Sequence, residues 1–276
     1  MTRTIVHLSD LHFGRVDPAI PPALLRAVAE AAPDVVAVSG DITQRARIAE
    51  FKAAAHFLET LPAPVLAVPG NHDVPLYNVL LRWLLPLDRY RRYITSDLAP
   101  FCEDAEIAAL GVNTTRALTF KDGRINRHQM EAAKRRFAHC RNDVTRIVVT
   151  HHTFDTPDPV GAIAAHKVVG RADMAMAGLL LADVDMILSG HLHMSGVGET
   201  TKRYPLPGRA ALLIRAGTAT STRRRGQVNA FNVVRDARPE VAIDCMVWQP
   251  DEGRFVAAST ERFRRTEVGW SRMASP

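Results

Sequence analysis

The sequence predicts an α/β fold that combines a mainly parallel sheet with a second, more antiparallel sheet. Three observations support this prediction. Short apolar runs alternate with helical patterns over the first two thirds of the chain, polar clusters stand directly after those runs, and no convincing helical pattern follows residue 182. Strands that alternate with helices are typical of a parallel sheet, whose carboxyl edge is where ligands bind.

The elements of the first two thirds are short and regular. Ile48, Phe51, Ala55 and Leu58 share one face of a helix, as a period of 3.6 residues requires. Other helices are expected where prolines suit a first turn and where apolar residues recur at similar spacing. The pattern predicts strands at 4–8, 35–39, 65–68, 146–150 and 186–189, and helices at 21–31, 46–60, 126–138 and 172–182.

The last third is strand-like, with runs at 211–216, 231–234, 241–248 and 254–257. We expect these strands to form the second sheet. One domain over residues 1–276 is the economical prediction, with a helical insertion at 74–100 and a strand-rich C-terminal part at 196–276. The insertion either lies near the functional site or is an amphipathic helix pair docked by its Leu and Trp side chains.

Composition favours a cytoplasmic protein with a mildly basic surface. The net charge is +6, and the run Arg223-Arg224-Arg225 is too short for a nucleic-acid arm, so nucleic acid is the less favoured partner. Cys102, Cys140 and Cys245 predict core fillers in a reducing compartment. No secretory signal opens the chain, and no apolar run approaches the roughly 20 residues of a membrane span.

The C-terminal strands could offer an edge for a homodimer.

Five polar clusters follow predicted strands. Each alone is more often structural than functional, but together they supply two aspartates, one asparagine and four histidines. Mixed nitrogen and oxygen ligands suit Mn, Fe, Zn or Co, and seven ligands exceed the needs of one ion. Two ions bridged by a carboxylate would use them all, and paired ions serve displacement at phosphorus. The clusters are Asp10-Leu11-His12, Gly40-Asp41, Gly70-Asn71-His72-Asp73, His151-His152 and Gly190-His191-Leu192-His193.

In this order, the clusters resemble those of the calcineurin-like metallophosphoesterase superfamily. The resemblance spans roughly residues 4–195 and implies a four-layer α/β/β/α sandwich of two mixed sheets flanked by helices. It also implies two divalent transition-metal ions and a metal-bridging hydroxide as nucleophile. By that resemblance, one ion takes Asp10, His12 and His193, the other takes Asn71, His151 and His191, and Asp41 bridges them.

The resemblance also implies catalytic roles for His72 and Asp73. His72 would contact the phosphate or protonate the leaving oxygen, with Asn71 beside it at the substrate, and Asp73 would orient His72. The first and third clusters look most like those of the class III cyclic nucleotide phosphodiesterases. Gln44-Arg45 and Thr153-Phe154 depart from that pattern, so we expect a different substrate pocket.

These features favour an enzyme that hydrolyses small phosphodiesters, with cyclic nucleotides among them. A nuclease, a phospholipid-headgroup diesterase and a nucleotide-sugar pyrophosphatase are the alternative enzymes, motivated by the basic charge and by the arginines and tyrosines of 74–100. A non-catalytic scaffold is least favoured, because no expected ligand is missing. The role of His152 stays open at this point.

Overall fold

A computed structural model describes residues 1–156, 168–223, 226–267 and 269–274. Its strands form two mixed sheets. The strands are β1 Arg3–Leu8, β2 Val35–Ser39, β3 Val65–Val68, β4 Phe101–Glu103, β5 Ile107–Gly111, β6 Thr145–Val149, β7 Met186–Ser189, β8 Gly196–Glu199, β9 Leu212–Arg215, β10 Ala230–Ala237, β11 Glu240–Gln249, β12 Arg254–Thr266 and β13 Gly269–Arg272. The helices are α1 Ile20–Glu30, α2 Ile48–Glu59, α3 Val79–Leu84, α4 Asp88–Tyr93, α5 Arg127–Ala138 and α6 Ala172–Leu181.

The first sheet has the strand order β13-β12-β11-β10-β1-β2-β3, and the second has the order β4-β5-β6-β7-β9-β8. Within the first sheet β1, β2 and β3 run parallel. Within the second sheet β5, β6, β7 and β9 run parallel. The parallel strands of each sheet therefore end at one common edge, as expected for an α/β sheet.

Three hydrophobic clusters give the molecule four layers. In β1, Ile5 faces the second sheet, while Val6 and Leu8 face helices α1 and α2, because successive strand residues point to opposite faces. In β6, Val149 likewise faces the first sheet and Val148 faces α5 and α6. The order of layers is thus helix, sheet, sheet, helix, which confirms the fold that the family resemblance implies.

The C-terminal strands do not form a sheet of their own, and the expectation that they do is wrong. β10 pairs antiparallel with β1, with Ile5 opposite Val234, and β11, β12 and β13 extend the first sheet outward from it. β8 and β9 instead join the second sheet. The first strand therefore lies inside its sheet, with β2 on one side and β10 on the other.

Residues 74–100 contain the expected helices. Leu87, at the start of α4, is buried in the core, so the expected docking by Leu and Trp side chains is wrong only for α3. Trp83 is 67% exposed and Leu80 is 71% exposed, whereas Arg82 in the same helix is buried. Val74 and Leu76, at the start of the segment, line a pocket together with His72, so the segment begins beside the polar clusters. Among the described residues, no helix combines the length and apolarity needed to cross a bilayer.

Candidate metal centre

The five polar clusters meet at the common carboxyl edge of the parallel strands. β1, β2 and β3 deliver the clusters that begin at Asp10, Asp41 and Asn71, while β6 and β7 deliver those at His151 and His191. Because β2 packs against β6 and β7, the two sheets bring their edges together. Asp10, His12, Asp41, His151 and His193 are buried, and Asn71, His72 and His191 are partly exposed.

The backbone is left-handed rather than extended in three of the five clusters. Phi is 52° at Asp10, 49° at His12, 51° at Asp41, 70° at His191 and 58° at His193. Side chains two residues apart therefore converge because of tight turns, and not because an extended strand points them the same way. A non-glycine residue in this region costs of order 1–2 kcal/mol and persists where the surroundings hold it.

Hydrogen bonds from neighbouring loops hold the first turn in this conformation. The amide of Asp10 donates to the carbonyl of Gly40 at 3.1 Å, and the amide of His12 donates to that of Asp41 at 2.9 Å. Thr218, in the loop after β9, donates its hydroxyl to the carbonyl of Asp10 at 2.7 Å. Both sheets thus contribute to the shape of a single loop.

One group of ligand atoms joins Asp10, His12, Asp41 and His193, whose nearest side-chain atoms all lie within 4.8 Å of one another. Nε2 of His193 is 3.2 Å from Oδ1 of Asp10 and 3.3 Å from Nε2 of His12. Nε2 of His12 is 3.8 Å from Oδ2 of Asp41. Four polar atoms therefore point toward one small volume.

A second group lies on the other side of Asp41. Nε2 of His151 is 3.4 Å from Oδ1 of Asp41, 3.1 Å from Oδ1 of Asn71 and 3.2 Å from Nδ1 of His191. The two oxygens of Asp41 consequently face different groups. The structure brings together all seven residues that the sequence singles out as candidate ligands.

Backbone carbonyls decide which imidazole nitrogens carry a lone pair. Nδ1 of His151 lies 2.8 Å from the carbonyl oxygen of Ser39, and Nδ1 of His193 lies 2.9 Å from that of Arg223. Since a carbonyl only accepts, both Nδ1 atoms are donors, and in the neutral imidazoles Nε2 then carries the lone pair that faces the carboxylates. This is the arrangement by which proteins orient histidine ligands of metals.

The ligand atoms fit a cation. Oδ1 of Asp10 is buried and has no hydrogen-bond partner among the described residues, although its carboxylate is surrounded by imidazole nitrogens. Burial would raise the pKa of Asp10, but the neighbouring imidazoles of His193 and His12 hold it well below its ordinary value. Burial alone would lower the pKa of His151, yet the Asp41 carboxylate raises it to about 9. The site attracts positive charge, as a metal centre must.

His152 lies near the second group but is already satisfied by other partners. Its Nε2 is 2.9 Å from the carbonyl oxygen of Lys121, so it donates there, and its Nδ1 lies 2.7 Å from the hydroxyl of Thr114. Gly123 packs directly on its ring, where a Cβ would come within 2.2 Å of Nδ1. His152 therefore anchors the loop of residues 114–123 beside the centre.

His72 stands at the open side of the centre. Its Nδ1 is 2.8 Å from the carbonyl oxygen of Gln44, and its Nε2 is 2.7 Å from Nη1 of Arg223, which donates to it. Burial lowers the pKa of His72. The backbone of Gln44 therefore sets the tautomer of His72, with its proton on Nδ1.

Asp73 does not orient His72, and that part of the expectation is wrong. Its carboxylate accepts hydrogen bonds from the amides of Gly70, Ile42 and Thr43, and from the hydroxyl of Thr43. It joins the turn after β3 to the loop after β2, which carries Asp41. Burial, and then the charge of Asp41, raise the pKa of Asp73 to about 6.

Arg223 is a site residue that the sequence analysis did not identify. The run Arg223-Arg224-Arg225 is too short for a nucleic-acid arm, yet its first arginine lies at the centre. A signal was present, because Gly217-Thr218-Ala219-Thr220 follows the predicted strand 211–216 in the same way that the other clusters follow theirs. Strand β9 is parallel to β7, so its loop reaches the same edge.

A pocket of about 240 Å³ opens from His72. Four cationic side chains line it, together with Gln44, Asn71 and three apolar residues. Gln44 and Arg45 belong to the pocket wall, where the sequence departs from the class III pattern. The cations are Arg15, Arg45, Lys121 and Arg223, and the apolar residues are Val74, Leu76 and Phe120.

Two solved structures share this fold. A purple acid phosphatase from yellow lupin superposes with a TM-score of 0.70 at 10% identity, over 96% of this chain and 54% of the lupin chain. GAP50, the anchor in the inner membrane complex of Plasmodium, superposes with a TM-score of 0.59 at 13% identity, over 98% of this chain and 89% of the other. At such identities the likeness concerns the fold alone, and this chain spans about half the length of the lupin phosphatase.

Sequence comparison adds a short match and a long one. The UDP-2,3-diacylglucosamine pyrophosphatase LpxG of Chlamydia trachomatis is 36% identical over 76 residues, which are 26% of this chain and 23% of that protein. The match thus takes in less than a quarter of the relative. The calcineurin-like phosphoesterase family matches residues 3–195, which include every cluster described above. The chain is therefore a member of the calcineurin-like phosphoesterase family.

Proposed function

We propose that this enzyme hydrolyses a phosphodiester or diphosphate bond at two divalent transition-metal ions. The observation that carries the proposal is the position of Asp41. Its Oδ1 lies 3.4 Å from Nε2 of His151, while its Oδ2 lies 3.8 Å from Nε2 of His12. A carboxylate that divides its oxygens between two groups of ligand atoms is placed to bridge two ions.

The remaining ligands divide between the two ions by proximity. Asp10, His12 and His193 would hold one ion, and Asn71, His151 and His191 would hold the other. The nitrogen-rich donor set favours Mn, Fe, Zn or Co over Mg or Ca. When bound, such a pair lowers the pKa of a water molecule between the ions and neutralises charge on the phosphoryl oxygens.

His72 and Arg223 would serve the phosphoryl group on the open side. The guanidinium of Arg223 donates to Nε2 of His72 at 2.7 Å. A phosphate oxygen is a stronger acceptor than a neutral imidazole, so Arg223 would turn to the substrate and free Nε2. Nε2 of His72 would then take up a proton from solvent beside the anionic phosphate and deliver it to the leaving oxygen, while Nδ1 keeps its own proton bonded to Gln44.

The pocket favours a substrate with a second anionic group. A 3',5'-cyclic nucleotide carries one negative charge, whereas four cationic side chains line a volume of about 240 Å³. A diphosphate that joins a nucleoside to another group would match that charge better. The similarity of 76 residues to a pyrophosphatase that acts on a UDP-linked diacyl sugar points in the same direction. Cyclic nucleotides are the second candidate, because the first and third clusters are like those of class III enzymes.

Metal analysis together with hydrolysis assays tests both the proposed metal centre and the proposed substrate class. The purified protein, loaded with Mn²⁺, should hold close to two ions and hydrolyse bis(p-nitrophenyl) phosphate, and Asp41→Ala should lose at least one ion and nearly all turnover. UDP-N-acetylglucosamine and cyclic AMP then compete as substrates. A higher kcat/KM for the diphosphate supports the pocket argument, and a higher value for cyclic AMP supports the class III alternative. Two bound ions without any hydrolysis would contradict the proposed function.

A further inference from the structure

Exposed apolar side chains are concentrated on one region beside the pocket. In the described part of the chain, twelve large hydrophobic residues are exposed, and eight of them come from only two segments. Large exposed apolar patches mark surfaces that bind something. We name this group the apolar platform, and its residues are Tyr77, Val79, Leu80, Trp83, Leu84, Leu85, Leu118 and Phe120.

Arg82 holds the two segments of the platform together. The buried guanidinium of Arg82 donates to the carbonyls of Pro75 at 3.0 Å, Ala117 at 2.7 Å and Thr119 at 2.5 Å. It also lies 4.5 Å from the ring centre of Phe120. An arginine is therefore buried beneath the platform while leucines and a tryptophan face outward, which is the reverse of ordinary packing.

The surroundings of the platform are basic. Residues 74–93 contain four arginines and one aspartate, and residues 114–124 contain three basic residues and one aspartate. The guanidinium of Arg45 lies 5.2 Å from the ring centre of Tyr77, and Lys121 follows Phe120 and is exposed. Arg89 reaches the carbonyl of Ala46, next to Arg45.

The platform is continuous with the catalytic pocket. Phe120 belongs to both, and Leu76, Arg45 and Lys121 of the pocket wall adjoin platform residues. A surface that covers the platform would therefore lie next to the opening beside His72. This continuity connects whatever the platform binds with the entry of substrate.

We propose that the platform docks the enzyme on an anionic phospholipid bilayer. Trp83 and the leucines of α3 would enter the boundary between headgroups and acyl chains, where amphipathic segments with tryptophan bind. The arginines and Lys121 would contact anionic headgroups, whose negative surface potential attracts such basic side chains. Docking in this way presents the pocket to phosphate groups at the membrane surface.

Charge argues against a second copy of the chain as the occupant. A two-fold contact brings the same patch of both copies together, so the basic surroundings of one platform would meet the basic surroundings of the other. Arg45, Arg91, Arg92 and Lys121 would then face other cations, with Asp88 and Asp122 as the acidic residues of these two segments. An anionic bilayer satisfies both the apolar and the basic part of the surface.

Vesicle flotation of the full chain tests the proposal without relying on enzyme activity. The protein should float with vesicles of phosphatidylcholine and 30% phosphatidylglycerol, and much less with phosphatidylcholine alone. Binding should weaken at high salt because headgroup attraction is screened. Trp83 gives a direct signal, since Trp248 and Trp270 are buried, and its emission should shift to the blue on anionic vesicles.

Leu80→Ser with Trp83→Ser should reduce vesicle binding at least tenfold, while Leu181→Ser, at an exposed leucine outside the platform, should leave it unchanged. Thermal melting shows whether each variant is folded. Failure of the wild-type protein to float with anionic vesicles would overturn the proposal. So would a dimer in light scattering that the double variant dissociates, because the platform would then bind a second copy.

Discussion

Arg223 donates a hydrogen bond from Nη1 to Nε2 of His72 at 2.7 Å, and its own carbonyl accepts the Nδ1 proton of His193 at 2.9 Å. One residue of the loop after β9 thus touches the proposed acid with its side chain and fixes a proposed ligand with its backbone. These two contacts can be tested separately, because a substitution of the side chain leaves the backbone carbonyl in place.

Arg223→Ala should lower kcat/KM for a phosphodiester about 10²-fold, since it removes a charge-assisted hydrogen bond to the phosphoryl group. Metal content should stay near that of the wild type. Arg223→Lys should restore part of the activity, and Arg262→Ala, at an exposed arginine of β12, serves as the matched control. A variant that loses metal together with activity would show that the side chain supports the centre rather than the substrate.

His72→Ala should leave the metal content nearly normal and lower kcat by about 10²–10⁴, the range for a positioned acid. The physical reason is that His72 approaches Asp41 through its backbone amide, which donates to Oδ1 at 2.8 Å and survives the substitution. Metal analysis and steady-state kinetics check this, with the exposed His56→Ala as control. The effect should shrink for a substrate whose leaving group needs no proton, such as p-nitrophenolate, and an equal loss on all substrates would contradict an acid role.

Asp73→Asn should destabilise the fold rather than alter one catalytic step. Its carboxylate accepts four hydrogen bonds at 2.8–3.2 Å, and an amide turns a donor toward at least one of those N–H or O–H groups. We expect a loss of about 3 kcal/mol in the free energy of unfolding, measured in urea. The exposed Asp251→Asn should change it little. An unchanged unfolding midpoint together with inactive enzyme would instead support a direct catalytic role.

The site could be predicted from the sequence because its information is local. A strand that ends in a polar cluster is visible in ten residues, and sheet topology brings such ends together. The orientation of His72 could not be predicted, because it depends on a carbonyl 28 residues away rather than on the adjacent Asp73. The position of Arg223 could not be predicted for a similar reason, because only the parallel pairing of β9 with β7 places its loop at the site.

The fold shows the same division between local and distant information. Strands at 35–39, 65–68 and 186–189 have the predicted bounds, because buried β-branched and aliphatic runs are strong local signals. The assignment of β10 to the first sheet depends on its pairing with β1, more than 200 residues earlier, which no pattern within β10 encodes. The apolar residues of α3 predicted a helix face buried against the core. Instead, three carbonyls bind the buried Arg82, and the apolar side chains face solvent.

Gly190→Ala tests how closely the two sheets' loops must approach for the centre to form. A Cβ at this position would lie 1.8 Å from Oγ of Ser9 and 2.6 Å from Oδ2 of Asp10. The Ser9 hydroxyl already donates to that oxygen at 2.6 Å, so the carboxylate cannot retreat without losing the bond. We expect a loss of about 1–3 kcal/mol in unfolding free energy and a 10–100-fold weaker affinity for Mn²⁺.

Gly208→Ala is the control for that substitution, since no atom lies within 4 Å of its Cβ. Its phi of +70° gives a cost of about 1 kcal/mol, which should appear in unfolding but not in Mn²⁺ titration. Adding Ser9→Gly to Gly190→Ala removes the first collision and should recover part of the metal affinity. If Gly190→Ala bound two ions as tightly as the wild type, Asp10 could not be a ligand held in place by this contact.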